Sequence, residues 1–228
     1  VRDLLASGGD ATTNAEAKKF LEEYAFPSMT QTDPDTLSLL GEKREDFLKN
    51  YLNENVTGNA RTKMIDFSID KLQGYAVNES LHPSARVNAI VLISHLTDRP
   101  LIRGRQAPVA SGNALNSLLN IFKGQDPKKF PQFVNVAALS GIKYQLDLNS
   151  KSGQTIDPGV KNQLVEAAMK LMDAPADRET DAAAYWNKRQ AVQLSAVLKD
   201  AKTLPALLAI LNDENASHDL RLEVVKTL

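Results

Sequence analysis

Apolar residues recur at three- and four-residue intervals through most of this chain, and short polar stretches interrupt the rhythm. That period marks helices with one buried face. Residues 203–228 are the plainest instance. Leu204, Leu207, Leu208 and Leu211 line one helix face. Asn212-Asp213-Glu214-Asn215 then breaks the period with turn-forming residues, and Leu220, Val224, Val225 and Leu228 line a second face. A helix pair this small leaves apolar surface uncovered and must stack on similar pairs.

The same reading extends upstream. Residues 1–12 hold Gly8-Gly9 among small polar residues and are expected to form a flexible lead-in. Residues 13–56 predict an N-terminal capping hairpin. Its first helix is capped at Thr13-Asn14, lined by Ala17, Phe20, Leu21 and Tyr24, and stopped by Pro27; its second starts at Asp33-Pro34 and runs to about Asn53. A second pair spans residues 59–96. Its later helix opens at Pro83 and is apolar nearly all round, as suits a helix sandwiched between neighbours. Leu115, Leu118, Leu119 and Phe122, then Phe133, Val134, Ala138 and Ile142, mark a third pair. A fourth starts at a repeated Asp-Pro signal, Asp157-Pro158, and continues in a helix over 182–198. Residues 97–111 and 149–155 read as loops. The one strand-like run, residues 132–139, continues at helical spacing through Ile142. The predicted fold is all-α: an α-α superhelix, or solenoid, of about five antiparallel helix pairs. In it, residues 13–56 cap a repeat array over 57–228 within one continuous domain.

Composition sharpens this picture. With 228 residues and 43% hydrophobic content, the chain has material for a substantial core. The absence of cysteine excludes disulfides, thiolate metal sites and cysteine nucleophiles. No apolar run approaches the roughly 20 residues of a membrane span, and no signal-peptide pattern opens the sequence; the compartment is left open. Net charge is −1 but unevenly spread: −5 over residues 1–56, +5 over 57–147 and −1 over 148–228. The basic middle is where an anionic partner would be met.

The later helices of the pairs overlay. Arg86, Ala89, Leu92 and Leu96 share their offsets with Lys188, Ala191, Leu194 and Leu198; Arg221 and Val224 begin the pattern again, and Asn135, Ala138 and Gly141 follow a degraded version. The mean repeat is ~45 residues, near the value for two-helix HEAT or armadillo units. With Pro205, Leu207, Leu208, Leu211, Asp213, Arg221 and Val224, the last pair resembles a HEAT repeat, and HPSARVNAIVLISHL is similar to the second helix of such a unit. The likeness covers residues 59–228, best in the second and fifth pairs. Through FPSMTQTDPDTLSLLGEKR and the HPSARVNAI helix, the whole chain is also similar to bacterial HEAT-repeat proteins without an assigned function. The resemblance implies a curved scaffold whose second helices line the concave side.

Candidate chemistry is sparse. His82 and His218 precede second helices and read as turn or capping residues, and His95 as a half-buried helix end. None is followed by glutamate, which departs from the His-Glu pairs of iron-binding HEAT-like hydroxylases. Asp66/Asp70 and Glu42/Asp46 are i,i+4 acid pairs of the kind any solvated helix face carries. Ser111-Gly112-Asn113 and Ser152-Gly153-Gln154 lack the glycine spacing and lysine of a phosphate loop. Trp186, among acids, is a poor match to HEAT-like DNA glycosylases and reads as a packing residue. No catalytic, metal or cofactor residue is assigned, and a non-enzymatic scaffold is expected. The best binding candidate is the loop carrying Arg99, Arg103 and Arg105, since loops on a rigid scaffold commonly carry recognition and arginine suits carboxylates and phosphates. Lys123, Lys128 and Lys129 extend it if the two loops share an edge. The expected partner is another protein, with nucleic acid the alternative. The uncapped apolar helix at Leu228 further predicts either a capping segment or end-to-end self-association through the C-terminal pair.

Overall fold

Helical periodicity is realised over most of the chain. The computed structural model describes every residue except Arg103 and is mostly helical, with almost no sheet among the described residues. Contacts divide the chain into two compact units, Val1–Gln154 and Thr155–Leu228. The boundary lies just after the left-handed Gly153, inside the 57–228 stretch that the repeat spacing predicts as one array.

In the first unit, α1 (Arg2–Ala6) and α2 (Ala15–Phe20) lead into a π turn, Leu21–Ala25, and a 3₁₀ turn, Pro27–Thr30. There follow α3 (Pro34–Leu37), α4 (Leu40–Tyr51), α5 (Gly58–Val77) and α6 (Pro83–His95). Two short strands, β1 (Thr97–Arg99) and β2 (Val109–Ala110), separate α6 from α7 (Gly112–Phe122) and α8 (Gln132–Ser152). Short polar side chains start the helices as capping physics requires: Asn14 accepts from the Ala17 amide at 2.9 Å, and Asp33 from that of Thr36 at 3.2 Å. His82 caps α6 through Nδ1, which accepts from the Ser84 amide at 3.2 Å.

The centre of this unit is α6, packed by α4, α5, α7 and α8. Ile90, Leu92 and Ile93 are fully buried, as are Leu72 of α5, Leu118 of α7 and Ile142 and Leu146 of α8. Each such side chain contributes about 1.5–3 kcal/mol by leaving water. Close approach occurs at Gly141. A β-carbon there would lie 3.0 Å from both the Ser94 and Leu118 side chains, so α8 meets α6 and α7 through a position with no side chain.

The second unit comprises α9 (Pro158–Asp173), α10 (Ala182–Leu198), a 3₁₀ turn at Ala201–Thr203, α11 (Leu204–Asn212) and α12 (His218–Thr227). Consecutive helices pack as pairs, α9 on α10 and α11 on α12, and α10 also meets α12. Asp157, Asp181 and Ser217 cap α9, α10 and α12. Tyr185 is buried, its hydroxyl 2.7 Å from that of Ser217, while Trp186 is only half-buried.

Helix boundaries depart from the sequence expectation in several places. The segment expected to be a flexible lead-in contains α1, whose Leu5 is fully buried, and Asp10 forms a 2.7 Å ion pair with Lys63 of α5. The helix expected from Asp33 to Asn53 is interrupted at Ser38-Leu39, where Leu39 sits near φ −92°, ψ −3°. The expected loop at 149–155 begins later, because α8 continues to Ser152 and ends on Gly153 at φ 67°.

Candidate functional site

Residues 97–110, expected as a loop, close into a β-hairpin. Thr97 pairs with Ala110 and Arg99 with Val109, with a bulge between the two pairs. Farther out, the Ile102 amide donates to the Gln106 carbonyl at 3.0 Å and the Gln106 amide returns the bond at 2.9 Å. Gly104 takes φ 71° in the turn, where a residue without a β-carbon avoids strain. The Gln106 side-chain amide donates to the Pro100 carbonyl at 2.9 Å and closes the distal half.

Two buried polar side chains hold the root of the hairpin. Arg61 of α5 donates through Nε to the Thr97 carbonyl at 2.7 Å and through Nη2 to the Thr97 hydroxyl at 3.1 Å. Its Nη1 donates to the carbonyls of Leu52, Asn53 and Val56 at 2.8, 3.1 and 3.3 Å. Burial pulls this guanidinium down to about 10, so it stays charged at neutral pH. Gln145 of α8 is fully buried and donates to the carbonyls of Ser94 and Leu96 at 2.6 and 2.9 Å. Its Oε1 accepts from the Ser111 amide at 2.9 Å, so one side chain grips both ends of the insertion between α6 and α7. Asp98, though surface-exposed as a residue, has its carboxyl raised by desolvation, with the Ser111 hydroxyl and the nearby Arg61 charge opposing.

The root is buried through Thr97, Val109 and Ala110, and the outer part is wet. Arg99 and Arg105 are exposed, and Leu101 between them is 60% exposed. Arg103 lies outside the described residues. Lys123, Lys128 and Lys129 are exposed in the connection between α7 and α8. The hairpin enters α7 at its N-terminus and this connection leaves its C-terminus, so the roots of the two basic segments are separated by the length of α7, ~16 Å for 11 residues. The second group is held from below by Arg86 of α6, whose Nη2 donates to the Lys128 and Lys129 carbonyls while Nε donates to the Ala76 carbonyl at 2.9 Å.

The histidines do not converge. His82 is a cap. His95 donates through Nδ1 to the Val91 carbonyl at 2.8 Å and stacks on Tyr144 with ring centroids 4.5 Å apart; His218 is the first residue of α12. Among the described residues, no three His, Cys, Asp or Glu side chains are grouped as metal ligands would be.

The residues that shape the hairpin, Arg61 and Gln145, were not singled out by sequence reasoning. The signal was there. Arg61 lies in phase with Met64, Ile65, Ser68 and Leu72, and Gln145 with Ala138, Ile142 and Asn149, all buried. A polar residue on a buried helix face needs partners, and here those partners are the carbonyls of irregular connections. No protein-family model, curated protein or solved structure matches the chain.

Proposed function

We propose that the protein is a non-catalytic helical-repeat scaffold of HEAT-like type that binds an acidic segment of another protein through the 97–110 hairpin. The observation that carries this reading is a short β-hairpin, braced at its root by Arg61 and Gln145, that presents Arg99, Leu101 and Arg105 to solvent. A braced loop loses little conformational freedom on binding. Two exposed arginines flanking an exposed leucine suit a partner with carboxylates around an apolar anchor. Pairwise packing of consecutive helices supports the repeat reading.

Nucleic acid is the weaker alternative. The basic groups of the 57–147 region stand at opposite ends of α7 rather than along one track, and a phosphate backbone rewards a continuous line of cations. The test is affinity capture with the wild type beside a variant carrying alanine at Arg99, Arg103 and Arg105. A protein retained by the wild type and lost by the variant supports the hairpin; equal recovery removes it. Recovered nucleic acid whose binding falls steeply with salt transfers the function to the second reading.

Self-association through the C-terminal pair is a further part of the proposal. Leu204 and Leu208 of α11 and Leu222 and Val225 of α12 are each 40–56% exposed, apolar side chains that a second copy would cover.

A further inference from the structure

A concavity lies within the first unit, formed by the π turn and α4. Its volume is about 400 Å³, in the range of small-molecule sites. Phe20 and Tyr24 stand side by side across the π turn with centroids 5.3 Å apart, and Tyr51 closes on Phe20 at 6.4 Å, inclined by 61°. Phe20 is 38% exposed and Tyr24 65%, so both rings are partly open to solvent. The turn is of the wide kind, with the Phe26 amide donating to the Leu21 carbonyl at 3.0 Å, a distortion that recurs at functional positions.

Polar side chains complete the lining. Arg2, Asp46 and Asn50 all reach the cleft, and none has a side-chain hydrogen bond or ion pair among the described residues. Together they offer a donor-only group, an acceptor-only group and an amide that does both. Lys43, also in the lining, is already engaged by the Ser28 carbonyl at 3.1 Å and the Gln31 side chain at 2.8 Å. The charge balance discriminates among ligands. With Arg2 and Lys43 against Asp46, the lining repels the cation that an aromatic cage would otherwise attract. The unpaired Asp46 and the apolar floor disfavour a phosphate.

We infer that this cleft binds a neutral saccharide of one or two rings. The C–H face of a pyranose is apolar and slightly electropositive, and it matches the negative faces of Tyr24 and Phe20. Its hydroxyls donate to Asp46 and accept from Arg2, while Asn50 serves either role.

The test is saturation-transfer NMR on the full chain with cellobiose, maltose, lactose, mannobiose and diacetylchitobiose, each at about 10 mM, a concentration suited to weak millimolar ligands. Transfer is expected to the axial C–H protons of at least one of these sugars. Tyr24→Ala, at an exposed position, is expected to weaken binding by about tenfold or less, the worth of one aromatic contact. Asp46→Asn is expected to weaken it as well, with an unchanged circular dichroism spectrum for both variants. Tyr144→Ala, an exposed aromatic outside the cleft, should leave binding unchanged. Three results overturn the inference: no transfer to any of the five sugars, transfer unaffected by Tyr24→Ala, or Tyr24-dependent binding of tetramethylammonium or a proline-rich peptide in place of sugar.

Discussion

Replacing Arg61 with methionine removes the brace of the hairpin while nearly conserving side-chain volume. Five acceptor contacts lose their donor: the carbonyls of Leu52, Asn53, Val56 and Thr97, and the Thr97 hydroxyl. Asn53 keeps the Val56 amide at 3.2 Å, and Thr97 lies in the β ladder. The Leu52 and Val56 carbonyls, in the irregular connection between α4 and α5, are left stranded at about 1–3 kcal/mol each. Against this stands relief of the buried charge. Burial pulls the guanidinium down to about 10, which at about 1.36 kcal/mol per pKa unit costs roughly 3 kcal/mol, and that cost disappears with the charge. At the low end of about 1.5 kcal/mol for each charge-assisted bond, the four N–H protons that serve these contacts contribute about 6 kcal/mol in all, which outweighs the relief. The net expectation is a loss of about 3 kcal/mol. Arg61→Lys should lose less than the methionine variant, because its ammonium keeps three donors for part of the acceptor set that the guanidinium serves.

Urea unfolding followed by far-UV circular dichroism measures this loss directly. The single tryptophan, Trp186, lies in the second unit, so its fluorescence does not report on the first. With slopes of about 1–3 kcal/mol per M, the midpoint of the first unit should fall by about 1–3 M. Amide exchange supplies the local readout: protection at Ile102 and Gln106 in the hairpin should drop more than at Leu118 in α7. A methionine variant within about 0.5 kcal/mol of wild type would refute the reasoning, since surface-like substitutions fall in that range.

Gly141→Ala should destabilise the first unit by about 1–2 kcal/mol, because the clash with Ser94 and Leu118 exceeds the helix-propensity gain; thermal melts of the pair decide it. Lys199 ends α10 at φ 47°, so Lys199→Gly should stabilise the second unit by about 1 kcal/mol, read from Trp186 fluorescence in urea. The Lys63 ammonium, then the Thr12 hydroxyl, hold the Asp10 carboxyl well below the usual carboxylate range. Because its folded pKa is depressed, its contribution is full above the unfolded value and is lost as pH falls toward the folded one. The difference between wild type and Asp10→Asn should therefore be at most about 1 kcal/mol at neutral pH for so exposed a pair, and it should shrink below pH ~4. Leu222→Glu with Val225→Glu should abolish any concentration-dependent mass increase in light scattering; an unchanged mass would dissociate that face from self-association.

Much of the helical layout was legible because its signals are local. Asp157-Pro158, Asn14 and the Pro83 start each act within one turn, and each begins a helix, whereas His218, read as a residue preceding its helix, is the first residue of α12 and Ser217 caps it. The strands at 97–99 and 109–110 were not legible. Their pairing is two residues deep and rests on Arg61 and Gln145, which lie 36 and 34 residues away from Thr97 and Ser111. The lead-in was misread for a similar reason: α1, with its buried Leu5, packs on α4, more than thirty residues on. The exposed arginines of the candidate site could be named from composition and spacing, but their separation from the lysines depends on the course of α7. The aromatic cleft escaped because Phe20 and Tyr24 fit a core face in sequence, whereas both are exposed in the fold, at the end of α2 and in the π turn that follows it.

Buried polar residues in this protein mark where irregular backbone is held. Helices satisfy their own amides and carbonyls, but connections do not, and every connection near the core needs a donor from elsewhere. Arg61 serves the 52–57 connection and the hairpin root, Arg86 the carbonyls at 128–129, and Gln145 the end of α6. Each sits on a helix face that is largely apolar, so each locally violates the pattern that defines its helix. Such violations persist where a less regular segment must be kept in one shape. The two segments kept by Arg61 with Gln145 and by Arg86 are those that carry the exposed arginines and lysines. A surface loop with the same charges but no such donor beneath it would bind with a larger loss of freedom. The braces, more than the charges, therefore distinguish 97–110 and 123–129 from ordinary basic loops.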